Sequence, residues 1–105
     1  MHWDRFMNVD PAEWPEAAIY FRFFSEGRRD QTAGSAYIYR AEDARQSSDS
    51  ERLYIGRAGT DGVEFVYRQG SPGIWAYYPI EGDTEWKADD IESFEQAWRA
   101  GSIKV

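Results

Sequence analysis

The stretch Val63–Ile80, VEFVYRQGSPGIWAYYPI, predicts a β-hairpin. β-Branched and aromatic residues dominate its two halves, Val63–Arg68 and Ile74–Ile80, as is typical of strands. Between them, Gln69–Gly73 contains the glycine, serine and proline that turns require. We therefore expect these two strands to be neighbours in an antiparallel sheet.

Two shorter strands are predicted before the hairpin. Ser35–Arg40 alternates tyrosine with smaller apolar residues, and Leu53–Gly56 is a second apolar run. The polar segment Ala41–Glu51 between them is expected to be an exposed loop, with room for one helical turn at its start. Gly59–Gly62, with the sequence GTDG, predicts a tight turn because Asp-Gly accepts a positive φ at low cost.

The N-terminal part of the chain predicts a helix start. Asp10–Glu13, DPAE, combines an acidic N-cap with proline at the first helical position and glutamate three residues after the cap. Pro15 leaves two alternatives open. Either a short turn ends near Trp14 and a new helix begins at Pro15, or one helix contains Pro15 in its first turns.

The run Ile19–Phe24, IYFRFF, fits either a strand or this helix. We favour the helix because good helix formers flank the run and Gly27 provides a C-cap. In this helix Ile19, Phe23 and Phe24 are expected on the apolar side.

A second helix is predicted near the C-terminus. After a turn at Glu81–Asp83, either Asp89 or Asp90 is the expected N-cap, and Gly101 ends the helix. Apolar residues recur between them at helical spacing, namely Ile91, Phe94, Ala97 and Trp98.

Successive side chains of a strand point to opposite faces of a sheet, so the strands divide into two sets. The expected core face carries Ile38, Leu53, Ile55, Val63, Phe65, Tyr67, Ile74, Ala76 and Tyr78. The expected opposite face carries Tyr37, Tyr39, Tyr54, Glu64, Val66, Arg68, Trp75 and Tyr77. We predict an α+β fold in which an antiparallel sheet of about four to six strands has an N-terminal and a C-terminal helix packed on one face.

The second of these faces is rich in tyrosine and tryptophan. Aromatic residues interleaved with charges are typical of the centres of protein interfaces. The alternative is that the N-terminal segment, with Trp3 and Phe6, covers this face as a second, minor core, because large exposed apolar patches are uncommon on monomers.

Length and composition predict one domain, residues 1–105, with residues 1–13 expected to be poorly ordered. The sequence lacks both a stretch of about 18 apolar residues and a basic start followed by an apolar run. We therefore expect a cytoplasmic protein, and the absence of cysteine agrees with this location.

The sequence offers few groups for catalysis. With His2 as the only histidine and no cysteine, the usual nucleophile–base pairs and metal sites of nitrogen or thiolate ligands cannot form. The acids between Asp83 and Glu92 lack the pattern of a calcium loop. Asp61 and Glu64 are candidates for a glycosidase pair, but a turn and a solvated strand explain them as well. We expect no enzymatic activity and no cofactor or metal.

The net charge of −7 is concentrated at the two ends of the chain. Residues 22–68 balance eight arginines against eight acids, so the acidity belongs to the segments before and after them. A protein of this charge repels nucleic acids and anionic membranes and attracts basic partners. A simple contribution to solubility is the alternative explanation.

The order of these motifs resembles the SUKH superfamily. The segments that carry the resemblance are Trp14-Pro15-Glu16 leading to Tyr20–Phe24 and Gly27, then Ile55-Gly56, Asp61-Gly62 and Val63–Tyr67, then Ile74–Ile80, and finally Ala88 with Ile91–Glu95. They are similar to a helix begun by proline, glycine-containing central strands, an aromatic strand and a closing helix. The resemblance, over residues 14–98, implies a bacterial immunity protein that binds and neutralises a toxin domain, often a nuclease, without catalytic residues.

The leading hypothesis is an immunity-type inhibitor with a basic protein partner. The predicted partner-binding residues are the aromatic anchors Tyr37, Tyr39, Tyr54, Trp75 and Tyr77 and the acids Glu64, Glu81, Asp83 and Glu85. One alternative is a nucleic-acid mimic that blocks a DNA-binding enzyme through an acidic stripe. Another is a self-associating module that pairs through the aromatic face or through an edge strand near Ser102–Val105.

Overall fold

The computed structural model describes residues 9–29, 36–59 and 62–105. Its helices are α1, Ala18–Phe23, and α2, Ile91–Arg99. Its strands are β1 (Arg28–Arg29), β2 (Ala36–Ile38), β3 (Arg45–Gln46), β4 (Arg52–Arg57), β5 (Glu64–Arg68), β6 (Ser71–Tyr78) and β7 (Asp83–Ala88). The predicted α+β class is confirmed.

The main sheet has five antiparallel strands in the order β3-β4-β5-β6-β7, so strands adjacent in the sequence are also adjacent in space. Strands β1 and β2 form a separate antiparallel pair. The predicted hairpin is formed by β5 and β6, and its turn is short because β6 begins at Ser71.

Gly56 allows β2 to pass close to the main sheet. The backbone N–H of Tyr39 donates to the Ile55 carbonyl at 2.5 Å, beside a register shift between Tyr54 and Gly56. A Cβ added at Gly56 would lie 2.0 Å from the Tyr37 carbonyl oxygen. Glycine is therefore required at position 56 for this approach of two backbones.

Trp14 separates two short 3₁₀ turns at the start of the described chain. The first turn, Pro11–Glu13, is capped by Asp10, whose Oδ1 accepts from the Ala12 backbone N–H at 3.0 Å. The second, Pro15–Ala17, leads directly into α1. The first of the two alternatives for this segment is therefore the correct one. Trp14 is fully buried, and its Nε1 donates to the Gln46 side chain at 3.0 Å.

Helix α1 is shorter than expected, and its buried side is different. Its C-cap is Phe24, so Gly27, with φ of 75°, lies in the turn beyond the helix. Ile19 and Phe23 are 43% and 60% exposed, so their expected place on the apolar side is wrong. Tyr20 faces inward instead, and its hydroxyl donates to the Tyr39 carbonyl at 2.7 Å. The preceding 3₁₀ turn, with about 3.0 residues per turn, shifts the side that faces the sheet.

Two strands lie where the sequence predicted only loops and turns. Strand β3 lies inside the polar segment Ala41–Glu51, after the single helical turn Ala41–Asp43. Strand β7 follows the predicted turn at Glu81. Both are edge strands with many polar residues, because only one of their sides pairs with a neighbour. Their polar residues do not follow the apolar pattern from which strands are predicted.

The C-terminal segment Ser102–Val105 is not a strand, so the expected edge at this position is wrong. Ile103 packs against the hydrophobic core instead. The Lys104 carbonyl accepts a hydrogen bond from Lys87 Nζ on β7. These contacts attach the tail to the outer edge of the main sheet.

The hydrophobic core of the described residues lies between the main sheet and the two helices. Phe65 is fully buried and contacts the rings of Phe94 and Trp98 on α2, at centroid distances of 4.6 and 5.6 Å. Helix α2 begins as predicted, because Asp90 Oδ1 accepts from the Ser93 backbone N–H at 2.7 Å. Neither helix in the described ranges is long and apolar enough to cross a membrane.

Candidate functional site

The outer face of the main sheet, the face turned away from α1 and α2, carries most of the predicted aromatic residues. Directly paired residues place one row of side chains across all five strands, in the order Arg45, Tyr54, Val66, Trp75 and Trp86. A second row contains Arg57, Glu64, Tyr77 and Thr84. Arg52 and Arg68 are paired beside the first row, and Tyr39 reaches Glu64 from beyond β2.

Arginine side chains stack on the aromatic rings of the outer face. The guanidinium of Arg45 lies 4.5 Å from the Tyr54 ring centroid, and that of Arg68 lies 4.5 Å from the Trp75 ring. Arg52 lies 4.4 Å from the ring of Tyr77. Each such contact stabilises by about 0.5–1 kcal/mol at an exposed site. The outer face is thus a packed layer of alternating cations and rings.

Glu64 connects the side chains at one end of this layer. Its Oε2 accepts from the Tyr39 hydroxyl at 2.8 Å, and its Oε1 accepts from Arg45 Nη2 at 2.7 Å. Burial raises the pKa of Tyr39 to about 12, and the hydrogen bond to Glu64 adds to this rise. The same glutamate raises the pKa of Arg45. Glu64 is therefore engaged as a structural acceptor in the described chain.

We predict that Tyr39→Phe reduces the loss of stability at high pH. The folded protein keeps Tyr39 protonated up to a pKa of about 12, against an ordinary value of 10.0. The stabilisation is therefore complete below pH 10 and is lost as the pH rises through about 12. Urea unfolding below pH 10 and near pH 12 measures this loss in both proteins. Burial also raises the pKa values of Tyr20 and Tyr67, so the variant keeps part of the loss. An equal loss of stability in both proteins would mean that Tyr39 contributes nothing to it, which contradicts the prediction.

Three arginines of the outer face lack a carboxylate partner within the described part of the chain. No Asp or Glu oxygen of residues 9–29, 36–59 or 62–105 lies within 4.0 Å of the guanidinium nitrogens of Arg52, Arg57 or Arg68. Glu51 and Asp83 contribute to a groove of about 600 Å³ that Arg52 and Arg68 also line. The two rows and their neighbours hold four arginines and one glutamate, so the outer face is basic although the chain is acidic.

The predicted aromatic anchors differ in their accessibility. Tyr39, Trp75 and Tyr77 are partly exposed, whereas Tyr54 is only 9% exposed beneath Arg45 and Arg52. Tyr54 therefore supports the layer and offers little surface for contact. The predicted cover of Trp3 and Phe6 lies outside the described residues.

Tyr37 does not belong to the outer face, so its predicted position is wrong. It is 4% exposed in the core, and its ring stacks on Trp98 with centroids 5.2 Å apart and planes 12° apart. Strand β2 pairs with β1 and not within the main sheet. The alternation counted along the main sheet therefore does not apply to Tyr37.

The exposed acids Glu81, Asp83 and Glu85 lie on or next to the edge strand β7. Glu85 pairs with Ala76 of the core, so its side chain projects toward the helix side, whereas Asp83 lines the groove of about 600 Å³ together with Arg52 and Arg68. Glu85 Oε1 accepts from Lys87 Nζ at 2.5 Å, and this contact lowers the pKa of Glu85. Asp83 therefore borders the outer face, and Glu85 lies away from the predicted anchors.

A groove of about 790 Å³ lies beside β2 and the N-terminal end of β5. Its charged lining residues are Glu26, Arg28, Arg29, Arg40, Asp43, Arg45, Arg57 and Glu64. Arg28 pairs with Glu95 at 2.8 Å, and Arg40 pairs with Glu42. These pairs neutralise much of the arginine charge.

The predicted glycosidase pair of Asp61 and Glu64 is only half described by the structure. Asp61, the predicted partner of Glu64, lies outside the described residues, and both oxygens of Glu64 already accept hydrogen bonds. Within the described ranges, no three His, Cys, Asp or Glu side chains are grouped as ligands for a metal ion.

The sequence-based assignment of faces missed residues of the outer face, namely Trp86, Arg45, Arg52 and Arg57. Trp86 is 51% exposed and pairs with Trp75. The alternation of Thr84 and Trp86 with charged residues was an available signal for β7. Arg45 and Arg52 gave no such signal, because the direction of a long side chain across a sheet depends on its neighbours in space.

Comparison of the chain with protein-family models, with curated proteins and with solved structures found no match. The resemblance to the SUKH superfamily therefore stays a prediction.

Proposed function

We propose that the protein is a non-catalytic protein-binding domain and that the outer face is its contact surface. The observation that carries this proposal is the row of partly exposed Trp75 and Trp86 among stacked arginines. Tryptophan, tyrosine and arginine are the residues enriched at the energetic centres of interfaces. A surface of this composition is unusual for a face that only contacts water.

The contacts within the outer face support binding with little loss of side-chain freedom. Trp75 is held by Arg68 and by a hydrogen bond from its Nε1 to the Pro72 carbonyl at 3.3 Å. Arg52 is held by the Tyr77 ring and by the Tyr54 hydroxyl, which its Nε contacts at 3.1 Å. Immobilising a flexible side chain costs about 0.5–1.5 kcal/mol on binding, so residues already held in place reduce this cost.

The biological role that we propose is immunity-type inhibition in the cytoplasm, by occlusion of a toxin domain. The support for this role is the resemblance to the SUKH superfamily over residues 14–98, together with the α+β architecture. The nucleic-acid mimic is less well supported, because the aromatic surface is rich in arginine and a mimic requires a continuous acidic stripe.

We predict that Trp75→Ala weakens binding of the partner by about 2 kcal/mol or more with little loss of stability. The test is affinity capture of the tagged protein from cells of its source organism, with mass spectrometry of the captured proteins. Trp86→Ala, which removes the neighbouring exposed ring, is expected to act in the same way.

Phe23→Ala is the matched control, because Phe23 is an exposed aromatic residue on α1, at the opposite side of the sheet. A partner that is captured by the wild type and the Phe23 variant, but lost with both tryptophan variants, would support the proposal. Loss of the partner only with the Phe23 variant would place the contact surface elsewhere. Unfolding of the Trp75 variant would show that Trp75 serves the core.

A further inference from the structure

We infer that the outer face binds an acidic polypeptide segment of its partner, with carboxylates placed against Arg52, Arg57 and Arg68. This inference rests on the proposed function, since it assigns the chemistry of the partner at the same surface. It differs from the expectation based on net charge. A net charge of −7 governs approach at long range, whereas the groups on the contact surface govern which partner fits.

The three arginines have unused capacity for carboxylates. Within the described ranges none of them has an acidic partner within 4.0 Å, in contrast to Arg45, which is paired with Glu64 at 2.7 Å. A guanidinium presents a planar fork of N–H donors that matches the two oxygens of a carboxylate. Stacking on a ring leaves the N–H donors at the edge of a guanidinium accessible. The Nε of Arg52 already donates to the Tyr54 hydroxyl, so the Nη groups of Arg52 are the donors assigned to a carboxylate.

The positions of Arg52 and Arg68 favour a short segment that crosses the strands. The two residues are directly paired between β4 and β5, and each stacks on a ring of β6. Arg57 lies at the other end of β4, beside Glu64 and Tyr77. The partly exposed rings of Trp75 and Tyr77 separate these two positive positions. A complementary segment has one or two apolar side chains that contact the rings, with acidic residues on either side of them that contact the arginines.

A protein segment fits the outer face better than a nucleic acid does. One side of the Tyr54, Trp75 and Tyr77 rings is already in contact with a guanidinium, which limits stacking of bases on them.

The test is calorimetric titration with a synthetic peptide in which glutamate alternates with leucine, at low and at moderate salt. The control peptide has glutamine in place of every glutamate. Arg57→Gln is the informative variant, because Arg57 is exposed and stands 5.9 Å from the Tyr39 ring. Its matched control is Arg22→Gln, an exposed arginine 5.3 Å from the Phe23 ring on α1. Circular dichroism checks that both variants fold.

The expected result is saturable binding of the glutamate peptide that weakens with salt, with no binding of the glutamine peptide. Affinity is expected to fall about tenfold in the Arg57 variant, and further when Arg68→Gln is added, but not in the Arg22 variant. Absence of saturable binding, or equal affinity in all variants, would overturn the inference. Tighter binding of a single-stranded oligothymidylate would overturn it in favour of a nucleic acid.

The inference and the proposed function can fail separately. If the peptide does not bind, but capture from cells depends on Trp75 and Trp86, the inference of an acidic segment is wrong. The proposal that the outer face contacts the partner is then still supported. If capture does not depend on these residues, the proposed function is wrong. A mass in solution that rises with concentration and falls when the peptide is added would identify a second copy as the occupant and overturn the inference.

Discussion

Gly56→Ala is expected to lower the free energy of unfolding by about 3 kcal/mol or more, at the upper end of the cost of overpacking. The added Cβ would lie 2.0 Å from the Tyr37 carbonyl oxygen and 2.9 Å from its carbonyl carbon. Both are backbone atoms, so no side-chain rotation can relieve the contact. The strand pair of β1 and β2 must therefore move away from β4, and the Tyr39 hydrogen bond to Ile55 is lost with it.

The control for this prediction is Gly70→Ala. Gly70 has φ of 77°, but an added Cβ would have no neighbour within 4 Å, so only backbone strain of about 1–2 kcal/mol is expected. Urea unfolding followed by circular dichroism gives both free energies. If the Gly56 variant is as stable as the Gly70 variant, the close passage of β2 over β4 is wrong.

Phe65→Ala is expected to destabilise the protein by about 3–5 kcal/mol, as is usual when a fully buried aromatic side chain is removed. Phe65 is on the central strand β5 and contacts two rings of α2, so its removal leaves a cavity between the sheet and the helix. The neighbouring rings of Phe94 and Trp98 cannot both fill this space without moving α2.

Phe23→Ala is the matched control for this prediction. It removes the same side chain at a position that is 60% exposed, so we expect a loss within about 0.5 kcal/mol. The same unfolding experiment compares the two variants. Similar losses in both would show that the core does not centre on Phe65 and α2.

Local signals in the sequence were enough for the hairpin and for the N-cap of α2. The β-branched and aromatic runs of β5 and β6 identify these strands from their own residues. Asp90 caps α2 because its Oδ1 accepts from the backbone N–H of Ser93, only three residues further along the chain. In both cases the interacting groups are close in the sequence, so the pattern and the structure depend on the same few residues.

The edge strands and the outer face could not be predicted in the same way. Strand β7 carries Asp83, Glu85 and Lys87, a composition that also describes a solvated turn. Tyr37 and Ile38 are adjacent in the sequence and both are buried in the core, because β2 pairs with β1 and not within the main sheet. The stacking of Arg52 on Tyr77 joins β4 to β6, across a strand that lies between them. Such contacts depend on which strands become neighbours in space.

The central claim is that the outer face is the surface that contacts a protein partner. Oxidative footprinting of the captured complex, compared with the protein alone, tests it most directly, because the method reports on individual side chains. We predict reduced oxidation of Trp75 and Trp86 in the complex and unchanged oxidation of Phe23, which is exposed on α1. Protection of Phe23 with unchanged oxidation of Trp86 would contradict the claim and place the partner on the helix side of the sheet.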